Sequence, residues 1–290
     1  MPGTPKRAAL AAAAALCVLF AGACTPDGTP HVAAPTPTVA PTAPPRTPVA
    51  RAVAEPAPIK DEFLLYNPLY RAGQVTAVSC SLPTAKLSNQ QAMIRYATAF
   101  VSCLNKGWGP IVTRAGFDFV PPEAVYPSPP GTKTACGPME KGYYGLYCDS
   151  NRGIYFNWPE YVVPGATQED TAASVQWLIA HEYGHHVQWL TGIADDYGAR
   201  YGAADGAAAE KVEENRSEMQ AHCFAAAFFG ANQKTFRIRG ERLSHYGHPG
   251  YDRGAADSIN FDHWLRQAFK ARGPSGCNTW AAPASSVTGV

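Results

Sequence analysis

Apolar residues that recur every three or four positions predict four helices in this chain. The four predicted helices span residues 88–106, 173–190, 208–229 and 257–272. Ser88 would cap the first helix, and Asp170 or Thr171 would cap the second. A glycine follows each of the first three helices and would end it.

Two short segments rich in aromatic residues predict a β-hairpin ahead of the second helix. Its strands would be Tyr143–Cys148 and Ile154–Trp158, and Asp149–Gly153 supplies the turn residues. Ile111–Val120 alternates and predicts a further strand, whereas the Gly- and Ala-rich Ala194–Ala207 predicts a loop. Strands that lie between helices in this order indicate an α+β domain.

The first 23 residues are typical of an export signal. Lys6 and Arg7 precede a 16-residue apolar run, Ala8–Ala23, which is shorter than the roughly 20 residues needed to cross a bilayer. Small residues precede Cys24, as they precede the acylated cysteine of bacterial lipoproteins, so we expect a lipid on Cys24 to hold the protein at the cell membrane. Because Ala21 stands where a Leu is usual, secretion after cleavage at an Ala-x-Ala site is the alternative. Both interpretations place the protein outside the cytoplasm.

Composition divides the rest of the chain into three parts. Residues 24–59 are mostly Pro, Ala and Thr, lack large apolar side chains and predict a disordered tether. Residues 60–280 have the length of one folded domain, and residues 281–290 predict a flexible tail. A net charge of +1 gives no basic surface for nucleic acid, so no nucleic-acid partner is expected.

The cysteines of the folded part predict three disulfides. Cys17 lies in the signal and Cys24 is the expected lipid site, which leaves six of the eight cysteines, an even number in an exported chain. About fifteen pairings of six cysteines exist. The favoured pairs are Cys136–Cys148, which closes a short loop, then Cys80–Cys103 and, by elimination, Cys223–Cys277. A zinc cluster is the competing use, but the sequence contains no Cys-x-x-Cys pair.

The strongest chemical signal is His181-Glu182-Tyr183-Gly184-His185, within the second predicted helix. Residues four apart on a helix lie about 40° apart around its axis, so both histidines can offer an imidazole to one metal ion. Glu182 lies about 100° from His181 and about 60° from His185, beside the position of the ion rather than on it. This geometry suits zinc hydrolysis, in which a carboxylate takes a proton from an activated water.

A third ligand is available on the next predicted helix, where Glu214, Glu218 and His222 form one stripe at four-residue spacing. With these positions, residues 181–188 (HEYGHHVQ) and 217–225 (SEMQAHCFA) resemble the bacterial putative neutral zinc metallopeptidase family. In that family the two segments read approximately HExGHHVQ and ELQADC-aromatic-AG. The resemblance extends in several blocks over most of residues 130–280, and none is recognised in residues 60–130.

The resemblance implies a zincin-like, gluzincin-like domain with an active-site helix, a second ligand helix and a small β-sheet. It also implies one zinc ion held by His181, His185 and Glu218, with Glu182 as the general base and a peptide or protein as the substrate. This chain has His222 where the family has an Asp that accepts a hydrogen bond from a metal-bound histidine. His222 would then be a weaker outer partner, a ligand in its own right, or a sign of looser zinc binding.

Three further features have both a functional and a structural interpretation. His186 and Gln188 match the family string, but helical geometry favours a hydrogen-bonded packing role for His186. His248 and Arg253 are candidates for stabilising an oxyanion, or else they are residues of a surface loop. The strand Ile154–Trp158 would border the cleft and pair with an extended substrate, or else it belongs to a core hairpin.

Two functional hypotheses follow. The first is an exported, lipid-anchored zinc metallopeptidase of the endopeptidase-like kind. The second is an envelope protein that binds zinc without turnover and acts as a binding or scaffold module. His222 motivates the second hypothesis, whereas Glu182 favours the first, because a binding module has no need of a general base beside two ligands.

Overall fold

The computed structural model describes residues 61–243, 246, 255–288 and 290, all within one compact unit, Pro56–Val290. The predicted signal peptide, Cys24 and the tether lie outside the described residues, as do His248 and Arg253. The α-helices of the described part are α1 (Glu62–Leu65), α2 (Gln90–Arg114), α3 (Gln168–Leu190), α4 (Ile193–Gly202), α5 (Ala207–Ala231) and α6 (Ala255–Ala271). Among the described residues, no helix is both long enough and apolar enough to cross a bilayer.

Five short strands accompany the helices. They are β1 (Val125–Pro127), β2 (Lys133–Thr134), β3 (Gly137–Pro138), β4 (Gly145–Cys148) and β5 (Gly153–Phe156). One sheet has the order β1-β5-β4, in which β5 pairs in parallel with β1 and antiparallel with β4, and β2 pairs with β3 in a second sheet. The predicted hairpin is therefore confirmed as β4 and β5. Helices and small sheets in one domain confirm the α+β class.

Helix α3 is the central helix, and local side-chain chemistry sets its ends. The Thr167 hydroxyl accepts the backbone N–H of Asp170 at 3.1 Å, and the Asp170 carboxylate accepts the backbone N–H of Thr167 at 3.4 Å. This capping box starts the helix slightly earlier than the sequence predicted. Gly192, with a φ of 73°, follows the helix and ends it as predicted.

Helix α2 corrects the predicted strand at 111–120. The helix continues through Gly107 and Pro110 to Arg114, and residues 117–120 form no regular secondary structure. Gly107 lies against the Phe228 ring, where a Cβ would come within 2.8 Å of a ring carbon, so its role is close packing rather than helix ending. Ile111 continues the buried face of the helix, and this packing outweighs the cost of an internal proline.

Helix α4 corrects the predicted loop at 194–207. Ile193, Tyr197 and Tyr201 recur every four residues, and the Ile193 side chain is fully buried. The Tyr197 and Tyr201 rings contact each other in an edge-to-face arrangement at 5.9 Å. A single apolar stripe is thus enough to form a helix from a Gly- and Asp-rich sequence, because the stripe packs on its neighbours.

The core lies among α2, α3, α5 and α6 and is rich in aromatic side chains. Phe100 of α2 stacks on Phe229 of α5 at 6.0 Å and meets Phe228 edge to face at 5.8 Å. All three side chains are fully buried. The described part contains three disulfides, Cys80–Cys103, Cys136–Cys148 and Cys223–Cys277. These are the pairs favoured from the sequence, so that prediction is confirmed.

The end of the described chain packs against the domain, which corrects the predicted flexible tail at 281–290. Val287 is fully buried, and the Trp264 indole donates to the Ser286 carbonyl at 2.7 Å. The Asn260 side chain donates to the Ser285 carbonyl at 2.8 Å. Small polar residues suggested mobility, but one buried apolar side chain and these hydrogen bonds fix the segment.

Candidate metal centre

Two neighbouring helices bring three metal-ligating side chains together. Helix α3 directs His181 and His185 to the same side, and Glu218 faces them from α5. One Glu218 oxygen lies 3.2 Å from His181 Nε2, and the other lies 3.4 Å from His185 Nε2. Of the predicted stripe on α5, Glu218 alone joins this group, whereas Glu214 pairs with Lys211 at 3.2 Å.

The spacing of these donor atoms fits zinc. Tetrahedral zinc binds imidazole nitrogen and carboxylate oxygen at about 2.0–2.2 Å, which places neighbouring ligand atoms roughly 3.3–3.6 Å apart. Each histidine lies close to a different Glu218 oxygen, at 3.2 and 3.4 Å, and one ligand atom from each of the three residues lies within 4.8 Å of the others. Three protein ligands with one side facing a cleft are the arrangement of a catalytic rather than a structural zinc site.

A glycine sets the distance between the two ligand helices. A Cβ on Gly184 would come within 2.6 Å of the Ala221 carbonyl oxygen and 2.8 Å of its Cα. Gly184 lies between the two ligand histidines in the chain, and Ala221 follows Glu218 by less than one turn. The helices therefore touch backbone to backbone where the ligands meet, and this contact needs a residue without a side chain.

Charges within the ligand group favour a bound cation. Burial alone would lower the pKa of His185, but the Glu218 carboxylate, together with Glu182 and Gln188, outweighs burial and raises this pKa to about 9. Burial likewise raises the pKa of Glu218, but His185 and hydrogen bonds to both histidines hold it well below its usual range. Glu218 is thus held ionised beside two imidazoles, and such a set of donors suits a cation.

Glu182 lies next to this group without joining it. Its side chain is only 5% exposed, and the backbone N–H of Tyr147 in β4 donates to it. Burial raises the pKa of Glu182, and the nearby His181 and His185 partly oppose the rise. A Cβ on Gly145 would come within 2.6 Å of Glu182 Oε1, so the glycine makes room for this carboxylate. Glu182 is therefore a buried carboxylate held between the ligands and the strand.

Gln188 positions the second histidine ligand, a role that the sequence reasoning missed. Its Oε1 lies 2.9 Å from His185 Nδ1 and accepts the ring N–H, which leaves Nε2 for a metal ion. The Gln188 amide in turn donates to the Ser217 carbonyl at 2.9 Å and to Gln220 Oε1 at 3.1 Å. The available signal was its spacing of three residues from His185, which places both side chains on neighbouring positions of one helix face.

His222 contacts the first histidine ligand through its ring. The ring centroids of His222 and His181 are 4.0 Å apart, and His222 also stacks on Trp177 at 5.9 Å. His181 Nδ1 is buried and has no hydrogen-bond partner among the described residues. His222 thus holds the His181 ring by packing, where an Asp would hold it by accepting its N–H.

His186 has the hydrogen-bonded packing role predicted for it. Its Nε2 lies 2.8 Å from the Val120 carbonyl, which can only accept, so Nε2 carries the proton. Its Nδ1 then accepts from the Tyr147 hydroxyl at 2.9 Å. The ring is fully buried, and burial lowers its pKa to about 4. His186 is therefore neutral and ties α3 to β4 and to the chain after α2.

We expect His186 to make the folded protein sensitive to mild acid. Its pKa is about 4 in the fold and about 6.5 in an unfolded chain. Between these values the unfolded state binds the extra proton, so the free energy of unfolding falls as the pH falls, by up to about 3 kcal/mol. Urea unfolding of the metal-free protein at pH 4 to 7 should show this loss, and His186→Gln should reduce it. Parallel pH profiles for the two proteins would contradict this expectation.

The ligand group opens into a cleft of about 810 Å³. Its lining includes β4 and the residues before it, the ligand faces of α3 and α5, and part of α4. Aromatic side chains are frequent in this lining: Tyr143, Tyr144, Tyr147, Trp189 and Tyr197. Aromatic side chains of the protein therefore surround the ligand group where the cleft opens.

The strand that borders the cleft is β4, and Ile154–Trp158 has the second of its two predicted roles, in a core hairpin. Strand β5 is the middle strand of its sheet and is buried along its length, so it has no free edge. Strand β4 is an edge strand, and Gly145 and Tyr147 lie next to Glu182. The sequence identified the hairpin but not its order in the sheet, because β1 pairs with β5 from a distant position in the chain.

Comparison with known families shows that most of the folded part resembles a known family. A family model described as putative neutral zinc metallopeptidase matches residues 67–241. The matched range contains α2 to α5, and with them His181, Glu182, His185 and Glu218. It begins at residue 67, so the similarity extends into residues 60–130, in which the sequence motifs show none.

Similar individual proteins are themselves uncharacterized. Proteins of Mycobacterium bovis and Mycobacterium tuberculosis are 35% identical to the chain over 98 residues, which is 33% of this chain and 31% of each relative. The protein YpfJ of Escherichia coli K12 is 24% identical over 211 residues, which is 66% of this chain and 73% of that protein. The chain thus spans about a third of the length of the mycobacterial relatives it matches. No solved structure matches the chain.

Proposed function

Because the chain belongs to the putative neutral zinc metallopeptidase family, we propose that it is a zinc-dependent hydrolase of peptide bonds in which Glu182 is the general base. The position of Glu182 carries the proposal. It is a buried carboxylate beside a group of two imidazoles and one carboxylate, and it contacts β4 rather than joining the group. A site that only stored zinc would not need a carboxyl group buried beside its ligands, because burying such a group is costly.

The reaction would take place at the ligand group. His181, His185 and Glu218 would hold one zinc ion, and Gln188 and His222 would orient the two rings. Bound zinc supplies Lewis-acid polarisation of a carbonyl group and of a water molecule.

Glu182 moves the proton in this reaction. Its carboxylate takes a proton from the water that attacks the scissile carbonyl carbon, and it passes that proton to the amine nitrogen as the C–N bond breaks. Burial raises its pKa toward the pH at which the enzyme would act, which makes it a stronger base than an exposed glutamate. The Tyr147 N–H holds the carboxylate in place between the two transfers.

The substrate would bind as an extended peptide along β4. The free edge of this strand runs past Glu182, and the cleft lies in front of it. Backbone hydrogen bonds to an edge strand accept any sequence, so selectivity would come from the aromatic side chains of the cleft. We accordingly propose peptides or proteins as substrates.

We also propose that the protein acts outside the cytoplasm, held at the membrane by a lipid on Cys24. The export signal and the small residues before Cys24 support this proposal. Three disulfides in the described part support it further, because such bonds persist in oxidising compartments.

The test combines metal analysis with peptide cleavage. The purified protein should hold about one zinc ion per chain and cleave members of a peptide library. Removing the metal with a chelator should abolish cleavage, and added zinc should restore it. A protein without zinc would refute the metal site. A protein that held zinc but cleaved nothing would support the alternative, a zinc-binding scaffold.

A further inference from the structure

Attack on a peptide carbonyl places negative charge on the carbonyl oxygen, and an enzyme gains rate by aiming a hydrogen-bond donor at that oxygen. Glu182 and Glu218 cannot serve, because ionised carboxylates only accept. The candidates are therefore the side chains that can donate a hydrogen bond and line the cleft without binding the metal: Tyr143, Tyr144, Tyr147, Gln188, Trp189, Tyr197, Ser217 and His222.

Several of these donors are already used within the protein. The Tyr147 hydroxyl is bonded to His186, and the Gln188 amide is bonded to Ser217 and Gln220. The Ser217 hydroxyl donates to Gln188 Oε1 at 3.3 Å. Breaking any of these bonds would leave a buried polar group unpaired, so these donors are poor choices for a reacting substrate.

The remaining donors differ in how firmly they are held. Tyr143 and Tyr144 are 50% and 46% exposed, and both precede β4. The His222 ring packs against His181 and Trp177, so its role is to hold the metal ligand His181 in place. Trp189 stacks on His186 at 5.9 Å, about 6 Å along the helix axis beyond His185.

Tyr197 differs from all of these. Its ring is partly buried and fixed by contacts with Tyr201 and Trp280, each at 5.9 Å, while its side chain lines the cleft. The hydroxyl makes no hydrogen bond to another described residue. Burial first, and then the carboxylates of Glu214 and Glu218, raise its pKa to about 12, so the phenol keeps its proton at neutral pH. The Tyr197 hydroxyl is therefore a protonated hydrogen-bond donor on a fixed ring near Glu218, and it is available to a substrate.

We propose that Tyr197 is a catalytic residue whose phenol donates a hydrogen bond to the oxygen of the scissile carbonyl as that oxygen becomes negative. The inference rests on the proposed peptidase function and adds a residue to it. As water attacks, the carbonyl π electrons move to oxygen, and the phenol stabilises this charge without giving up its proton. When the C–N bond breaks, the carbonyl re-forms and the hydrogen bond weakens again.

The test removes one oxygen atom from the protein. Tyr197→Phe in the zinc-loaded full chain should lower kcat about 10²- to 10³-fold, with KM changed by less than about threefold, because the bond strengthens only in the transition state. Binding of a phosphinic peptide, whose tetrahedral oxygen imitates that state, should weaken by a similar factor in calorimetry. Zinc content and thermal unfolding should match the wild type, since the ring contacts are kept.

Two variants serve as comparisons. Tyr201→Phe removes a phenol one turn further along α4 and outside the cleft lining, and it should leave kcat and phosphinic-peptide binding unchanged. Trp189→Phe removes the competing indole donor and should have a much smaller effect than Tyr197→Phe. Equal activity of Tyr197→Phe and wild type would overturn the inference, as would loss of zinc in proportion to activity. An inert wild type would instead refute the peptidase function itself.

Discussion

Replacing Glu182 by Gln is expected to lower kcat/KM about 10³-fold, while the zinc content stays at the wild-type level. Gln has nearly the same shape as Glu but cannot take a proton from water, and general-base catalysis contributes about 10²- to 10⁴-fold. The side chain lies beside the ligand group, and Gln can still accept the Tyr147 N–H. The measurement is peptide cleavage together with zinc analysis of the same samples.

Glu214→Gln is the matched control for this experiment. Glu214 is also a glutamate that lines the cleft, but it pairs with Lys211 at the surface and does not contact the ligand group. We expect its activity to stay within about threefold of the wild type, because an exposed ion pair contributes little. If the two variants lost activity equally, Glu182 would have only a general electrostatic effect. If Glu182→Gln lost zinc, Glu182 would act as a ligand.

Gly184→Ala is expected to have the second large effect, on both folding and metal binding. The added Cβ would meet the Ala221 carbonyl oxygen at 2.6 Å, so α3 and α5 must move apart. Overpacking of this kind costs about 1–3 kcal/mol of unfolding free energy. Since Glu218 lies on the helix that moves, the distances of 3.2 and 3.4 Å to the histidines would grow, and we expect zinc affinity to fall at least about tenfold.

Gly198→Ala separates this packing effect from the general effect of adding a methyl group. Gly198 lies inside α4, and a Cβ there would have no heavy atom within 4 Å. We expect Gly198→Ala to raise the unfolding free energy by about 0.5–1 kcal/mol and to leave zinc affinity unchanged. Denaturant unfolding and zinc titration of both variants provide the comparison. Wild-type zinc affinity in Gly184→Ala would show that the helix contact does not set the geometry of the site.

The sequence could predict the ligand group because its parts follow from helical geometry. His181 and His185 share one face of a single helix, and Glu218 lies on a stripe of the next helix. Their meeting depends on the contact at Gly184, which the sequence showed only as a glycine inside an otherwise regular helix. The contact of Gly184 with Ala221 depends on how α3 and α5 pack together, so the sequence of neither helix alone reveals it.

Other parts of the fold were also difficult to predict from the sequence, because they depend on contacts between distant segments. The free edge of β4 exists because β5 takes β1 as its second partner, and nothing in the hairpin itself indicates this. Tyr197 was missed because the segment around it is rich in Gly, Ala and Asp, which predicts a loop. The helix there follows from packing on its neighbours, which outweighs local composition.

The disulfide Cys223–Cys277 has a consequence for the order of maturation. Cys223 follows Glu218 on α5, and its partner lies 54 residues later. Before oxidation, the six cysteines of the described part would be thiols, and thiolates compete strongly for zinc. Oxidation both consumes these competitors and fixes the helix that carries the third ligand. We therefore expect metal loading to follow oxidative folding, and we expect a chain that meets zinc while still reduced to bind the ion through thiolates rather than through His181, His185 and Glu218.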